Sequence, residues 1–210
     1  MTYDGERGDG LATYYGEQWA PLGARGFRDM FAGTWIEGDD PDEIARDLGS
    51  DPATAVRCGL GEAMRDYEPY AFRELVWLGG HAPGWSHAIT VAGPPLRTDL
   101  LAAAGRRFVQ VVWDAGDLGV HDLYYSDGVT AGRRSPVDIA APGWPFHEYA
   151  EGLEPSRPGL VDVFSGGPAR PVGSLGLWLD NWLILAGRLS GRFIDERYLD
   201  SPRSLYSIPI

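Results

Sequence analysis

The order of patterns along this chain predicts an α+β domain with a mainly antiparallel sheet packed with several helices. Three observations carry that prediction. Short apolar runs of strand length recur at 31–37, 75–78, 85–91, 108–113 and 120–125. Turn signals join some of them directly, Asp127-Gly128 above all, and a direct joint makes antiparallel neighbours. Helical patterns come between the strands in mixed order, and no internal repeat is visible.

Each element has a local reason. Leu11, Tyr14, Tyr15 and Trp19 recur at helical spacing before Pro21. Phe31 to Glu37 reads as a strand. Asp40-Pro41-Asp42-Glu43 then opens a helix, with Asp40 as cap and Pro41 at the first position; Gly49 ends it. Asp51-Pro52 starts a further turn in the same way. Leu75–Leu78 and Trp85–Val91 read as paired strands across a loop holding Gly79, Gly80, Pro83 and Gly84. Thr98 is expected to cap a Leu/Ala helix closed by Gly105. Phe108 to Trp113 is apolar on both faces, as a central strand is. A turn at 114–119 leads to a strand at 120–125, and Asp127-Gly128 to another from Val129. Residues 136–158 are rich in proline and hold Trp144, Phe146 and Tyr149, which suggests an irregular connection or flap. Leu160 to Phe164 is a strand candidate, followed by a Gly166–Gly173 loop. Ser174 then caps a helix reaching about Ser190 that is apolar nearly all round, so the domain or a partner must bury it. Asp195–Asp200 reads as a last helical turn and Ser204–Ile210 as an end strand.

Composition excludes several functions. The chain has 210 residues, fitting one domain over 1–210, and is 44% hydrophobic, enough for a core. Its 18 basic residues are all Arg, set against 30 acidic ones, giving a net charge of −12. Phosphate binding needs a basic surface, so neither nucleic acid nor an anionic membrane is an expected partner. The single Cys58 excludes an internal disulfide framework and a multi-cysteine zinc site. The absence of Lys excludes Schiff-base chemistry and a phosphate-loop lysine. The opening residues lack a basic start followed by an apolar stretch, and no run reaches the ~18–20 apolar residues of a membrane span. A cytoplasmic protein without cofactor is therefore expected.

Few residues point to chemistry. Gly59-Leu60-Gly61 lacks the third glycine and the leading strand of a dinucleotide fingerprint. Gly173-Ser174-Leu175-Gly176 lacks nucleophile-elbow spacing. Cys58 has no activating neighbour in sequence and reads as a buried thiol. His81, His87, His121 and Asp122 can meet across neighbouring strands as metal ligands, although His87 shares a face with Trp85, Ile89 and Val91 and equally suits a core. Asp114 and Asp117 are either a carboxylate pair or turn residues. Seven acidic residues crowd Glu37–Asp51, where they either serve helix starts or face a basic partner. Trp144 and Phe146 either anchor a partner or clamp their own loop.

Three stretches together resemble an actinobacterial family, domain-of-unknown-function family 6461. They are Thr34-Trp-Ile-Glu-Gly-Asp-Asp-Pro-Asp-Glu-Ile-Ala-Arg-Asp-Leu-Gly49, Pro83-Gly84-Trp85 with the following helix and Val111-Val112-Trp113, and Leu185-Ala-Gly-Arg-Leu-Ser-Gly-Arg-Phe-Ile-Asp-Glu-Arg-Tyr-Leu199. Their order matches that family and spans most of the chain. The sequence departs from it at Ala92-Gly93-Pro94-Pro95, where a Glu and a Gly-Trp are usual. The resemblance implies fold and source and brings no catalytic residue.

The expected function is thus that of an acidic, immunity-type accessory protein that docks a basic partner. Asp39, Asp40, Asp42 and Glu43 would steer association, and Trp144 and Phe146 would anchor it. The alternative is a small-ligand or metal-dependent enzyme with a pocket near His87, His121 and Asp114, in which His81, His87 and His121 are the metal candidates. The helix Leu175–Leu189 offers a possible contact with a second copy.

Overall fold

The computed structural model describes residues 18–27, 30–114, 122–153 and 174–209, with side chains from 179 onward in the long helix near the C-terminus. Eight strands lie in one sheet: β1 (Met30–Glu37), β2 (Val56–Cys58), β3 (Glu74–Ala82), β4 (Trp85–Ala92), β5 (Arg107–Asp114), β6 (Leu123–Asp127), β7 (Ala131–Arg134) and β8 (Arg203–Ile208). Their spatial order is β2-β8-β3-β4-β1-β5-β6-β7, and every adjacent pair is antiparallel. The helices are α1 (Ala20–Ala24), α2 (Pro41–Asp47), α3 (Leu60–Ala63), α4 (Thr98–Ala103), α5 (Ser174–Ser190) and α6 (Glu196–Asp200). The fold is α+β, as predicted.

Strand alternation divides the side chains between two cores. Phe31 and Trp35 of β1, Trp77 of β3, Ile89 and Val91 of β4, and Val109 and Val111 of β5 enter the larger core, which α1, α3, α5, α6 and residues 139–153 cover. Ile36, Val76, Leu78, Ala88, Phe108 and Tyr206 point the other way, under α2 and α4. This explains the near-continuous apolar run of β5, which is covered on both faces.

Local chemistry sets the element ends. The Asp40 side chain accepts from the amides of Asp42 and Glu43 and so caps α2, and Asp51 does the same for the turn at Pro52–Thr54. Asp127 accepts from Val129 and Thr130 in the β6–β7 hairpin, where Gly128 has φ +92°. Several expectations need correction. Gly79 and Gly80 continue β3, and only Pro83-Gly84 turns the chain into β4. Thr98 begins α4 rather than capping it; Arg97 is the cap residue and makes no side-chain cap bond. Pro21 lies in the first turn of α1 and does not end a helix. The strand expected at the end of the chain is present as β8, and the unforeseen β2 pairs with its outer side. Residues 11–17 of the expected helix through Trp19, residues 115–119 of the expected 114–119 turn and the strand at 160–164 lie outside the described residues.

Two docking expectations also change. Trp144 and Phe146 are buried, packing with Tyr125 and each other, so they clamp residues 139–153 onto the sheet and offer no surface anchor. Residues 136–153 run as an irregular connection with short turns at Pro136–Asp138 and His147–Ala150, and 154–158 lie outside the described residues. From Leu179 onward, the helix α5 is buried by the domain itself. Leu179, Trp182, Leu183, Ile184, Leu185, Ala186 and Leu189 are all in the core, so its described side chains present no apolar face to a second copy.

Candidate functional site

The enzyme expectation rests on the histidines. Sheet register places Trp35 opposite His87 on β4 and Val109 on β5, and His87 opposite Gly79 on β3. The Arg203 side chain crosses Gly79 so closely that any Cβ there would strike its Cδ. Tyr198 of α6 lies above this row. His87 stacks on Trp35 with ring centroids 4.1 Å apart, and its Nδ1 is 3.1 Å from the Tyr198 hydroxyl. His81 packs edge-on against His87 and Tyr198, and its Nε2 donates to the Arg192 carbonyl at 2.8 Å. The guanidinium groups of Arg192 and Arg203 lie 5.2 and 5.0 Å from the Tyr198 ring.

This cluster is sealed. His87 is fully buried and His81 only 2% exposed. Burial pushes His81 down to about 4 and His87 well below the ordinary histidine value, with the arginine charges acting the same way. Burial also raises the Tyr198 phenol. Two neutral imidazoles and a neutral phenol, closed off from solvent, hold α6 to the sheet. The expected outcome of Tyr198→Phe is a loss of ~1–3 kcal/mol, because His87 Nδ1 is left unpaired in the core; urea unfolding measures it.

The expected enzyme pocket does not assemble. His87 and Asp114 sit on opposite faces of the sheet. Asp114 is also five residues along β5 from Val109, the neighbour of Trp35, or ~17 Å at strand rise. His121 and Asp117 lie outside the described residues. No group of three or more metal-ligating side chains occurs among the described residues, so His81 and His87 stand as a pair there. Cys58 is buried, which pushes its thiol up and away from reactivity. His147 bonds locally to the Trp144 carbonyl.

The four acidic candidates are exposed at the far end of β1, and each has a local task. Asp39 accepts from the Gly84 amide at 2.6 Å, locking the β3–β4 turn. Asp40 caps α2. Asp42 accepts from the Tyr206 hydroxyl at 2.5 Å, and Glu43 pairs with Arg106 at 2.6 Å. They still add to the negative field around the chain. They do not meet Trp144 and Phe146, which lie on the other face of the sheet.

The opposite end of β1 holds a feature that the sequence reading missed. Met30 pairs with Asp114 there, at the rim of the sheet. The loop after Tyr67 folds over this rim: Tyr67 donates to the Met30 carbonyl at 2.7 Å, and Glu68 bonds to Val91 and receives Gly93. Between this loop and the Pro94-Pro95 segment runs an open groove of about 430 Å³, walled by Tyr70, Phe72, Pro94, Pro95 and Val112, with Asp114 at its margin. Phe72 is fully exposed and Tyr70 is 66% exposed. The Tyr70 hydroxyl donates to Asp114 at 3.0 Å. The signal in the sequence was two proline-bracketed segments, Pro69-Tyr70-Ala71-Phe72 and Gly93-Pro94-Pro95, whose residues do not alternate and so have no core face.

Glu74 follows this loop directly. Gly93 adopts φ +85° and presses on the Arg73–Glu74 backbone, where a Cβ would strike the Arg73 carbonyl. The Glu74 side chain is 1% exposed, and neither carboxylate oxygen has a hydrogen-bond partner among the described residues. Burial raises it to about 7, opposed by the charge of Arg97.

No protein-family model, curated protein or solved structure matches the chain.

Proposed function

We propose that this chain is a binding protein that docks a basic partner protein, and that the partner sits over the Tyr70–Phe72 end of the sheet. The observation carrying the proposal is an exposed aromatic groove, bordered by a carboxylate, on a molecule of net charge −12. A fully exposed phenylalanine beside prolines leaves apolar surface in water in the free protein, and docking removes that surface from water. The acidic groups at the α2 end contribute long-range attraction, which speeds encounter and weakens with salt. The role is that of an accessory or immunity-type protein acting in the cytoplasm. Among the described residues no helix is long and apolar enough to cross a membrane.

The test is affinity capture on the immobilised protein at low and at high salt, with Phe72→Ser alongside. A protein of high isoelectric point should be retained at low salt, released at high salt and lost with Phe72→Ser. Retention of no basic protein at either salt contradicts the proposal.

A further inference from the structure

We infer that Glu74 and Arg97 form a proton-controlled latch between the two walls of the groove: while Glu74 holds its proton, Arg97 stays with Asp99, and when that proton leaves to solvent, Arg97 moves to Glu74. The latch belongs to the free protein and does not depend on a docked partner. Its first part is a carboxyl that the fold buries with nothing to bond. Glu74 is 1% exposed, and both of its oxygens lack a hydrogen-bond partner among the described residues. It pairs with Ile208 on β8, so it lies on the face of the smaller core, whose members include Val76, Leu96 and Ile208. A neutral carboxyl tolerates such a place, whereas an ionised one needs a counter-charge or water.

The second part is the cation whose charge acts on Glu74, Arg97. It is bonded to Asp99 of α4 at 3.2 Å, with the two side chains 44% and 69% exposed. A pair in contact with water is held weakly, so Arg97 leaves it readily for a carboxylate in the interior. The other charged groups near this face have partners of their own. Arg73, next to Glu74, pairs with Asp66. On α2, Asp42 accepts from Tyr206, and Glu43 and Asp47 pair with Arg106. The strand neighbour Ile208 carries no charge.

The backbone carries the exchange to the groove. Gly93, at φ +85°, presses on the Arg73–Glu74 backbone, so the two segments meet at one tight joint. Beyond that joint Pro94 and Pro95 lead to Leu96 and Arg97, and their fixed φ values make the stretch stiff. Pro94 and Pro95 form one wall of the groove and Phe72 belongs to the other. Movement of Arg97 therefore displaces one wall against the other.

The experiment is an NMR titration between pH 5 and pH 9 that follows the backbone amides and the Glu74 carboxyl carbon. It is run on the wild type, Glu74→Gln and Arg97→Gln, whose spectra also report that each variant is folded. In the wild type the carboxyl carbon and the amides of residues 72–74 and 93–97 should move together, with one midpoint near 7. Glu74→Gln should abolish the transition. In Arg97→Gln the carboxyl should still titrate, at higher pH, while the amides of residues 93–97 lose most of their shift. Amides of 93–97 that stay still in the wild type, a transition there that survives in Glu74→Gln, or one undiminished in Arg97→Gln overturns the inference.

Discussion

Acidification from pH 6.5 towards pH 4 is expected to destabilise the fold by about 3 kcal/mol through His81 alone, at about 1.4 kcal/mol per pH unit. The sign follows from proton counts. In the unfolded chain His81 takes a proton as the pH falls through its ordinary value of 6.5, whereas in the fold it stays neutral until about 4. Between those values the unfolded state holds more protons, so stability falls with pH and levels off below 4. His87 acts in the same direction, because its fully buried ring is held even further below the ordinary value. The charges of Arg192 and Arg203 oppose protonation further, while Asp195 favours it at His81 without overcoming burial. Urea unfolding at a series of pH values measures the slope, and His81→Gln should reduce it by about one proton. An unchanged slope in that variant contradicts the neutral buried state of His81.

Glu74→Gln is expected to stabilise the protein at pH 8 by about 3 kcal/mol and to change little at pH 4. The native carboxyl titrates at about 7 against an ordinary value of 4.5. Stability from this group is thus fully present below 4.5 and is lost as the pH rises through 7. Above that the wild type must ionise an unpartnered carboxylate in the interior, and the amide removes that requirement. Between 4.5 and 6.5 this trend opposes that of the histidines, and burial raises the Asp180 carboxyl in the same direction as Glu74, so the histidine contribution is read from the difference between wild type and His81→Gln. Thermal unfolding of both proteins at the two pH values tests this. A variant equally or less stable at pH 8 contradicts it.

What the sequence disclosed follows from the range of the forces involved. Capping is local, so Asp40, Pro41 and Asp51 announced their elements correctly. The alternation of Trp85, His87, Ile89 and Val91 located one face of β4 and with it the core character of His87. The pairing of β2 with β8 depends on segments more than 140 residues apart, and no local pattern encodes it. The aromatics of 139–153 could not be assigned to surface or core from composition, since either role suits Trp beside Pro; packing against Tyr125 decides it. His87 and Asp114 were grouped in one candidate pocket, yet strand parity sends them to opposite faces. The groove escaped notice because its residues come from two loops and the end of β5, joined by long-range contacts such as the Glu68–Ala92 bridge.

Docking of a basic partner at the Tyr70–Phe72 end is tested most directly by hydrogen–deuterium exchange on the complex with the captured basic protein. Protection should concentrate in residues 67–73, 93–96 and the end of β5, with the α2 region unchanged. Protection confined to α2, or to the 139–153 connection, would contradict the account.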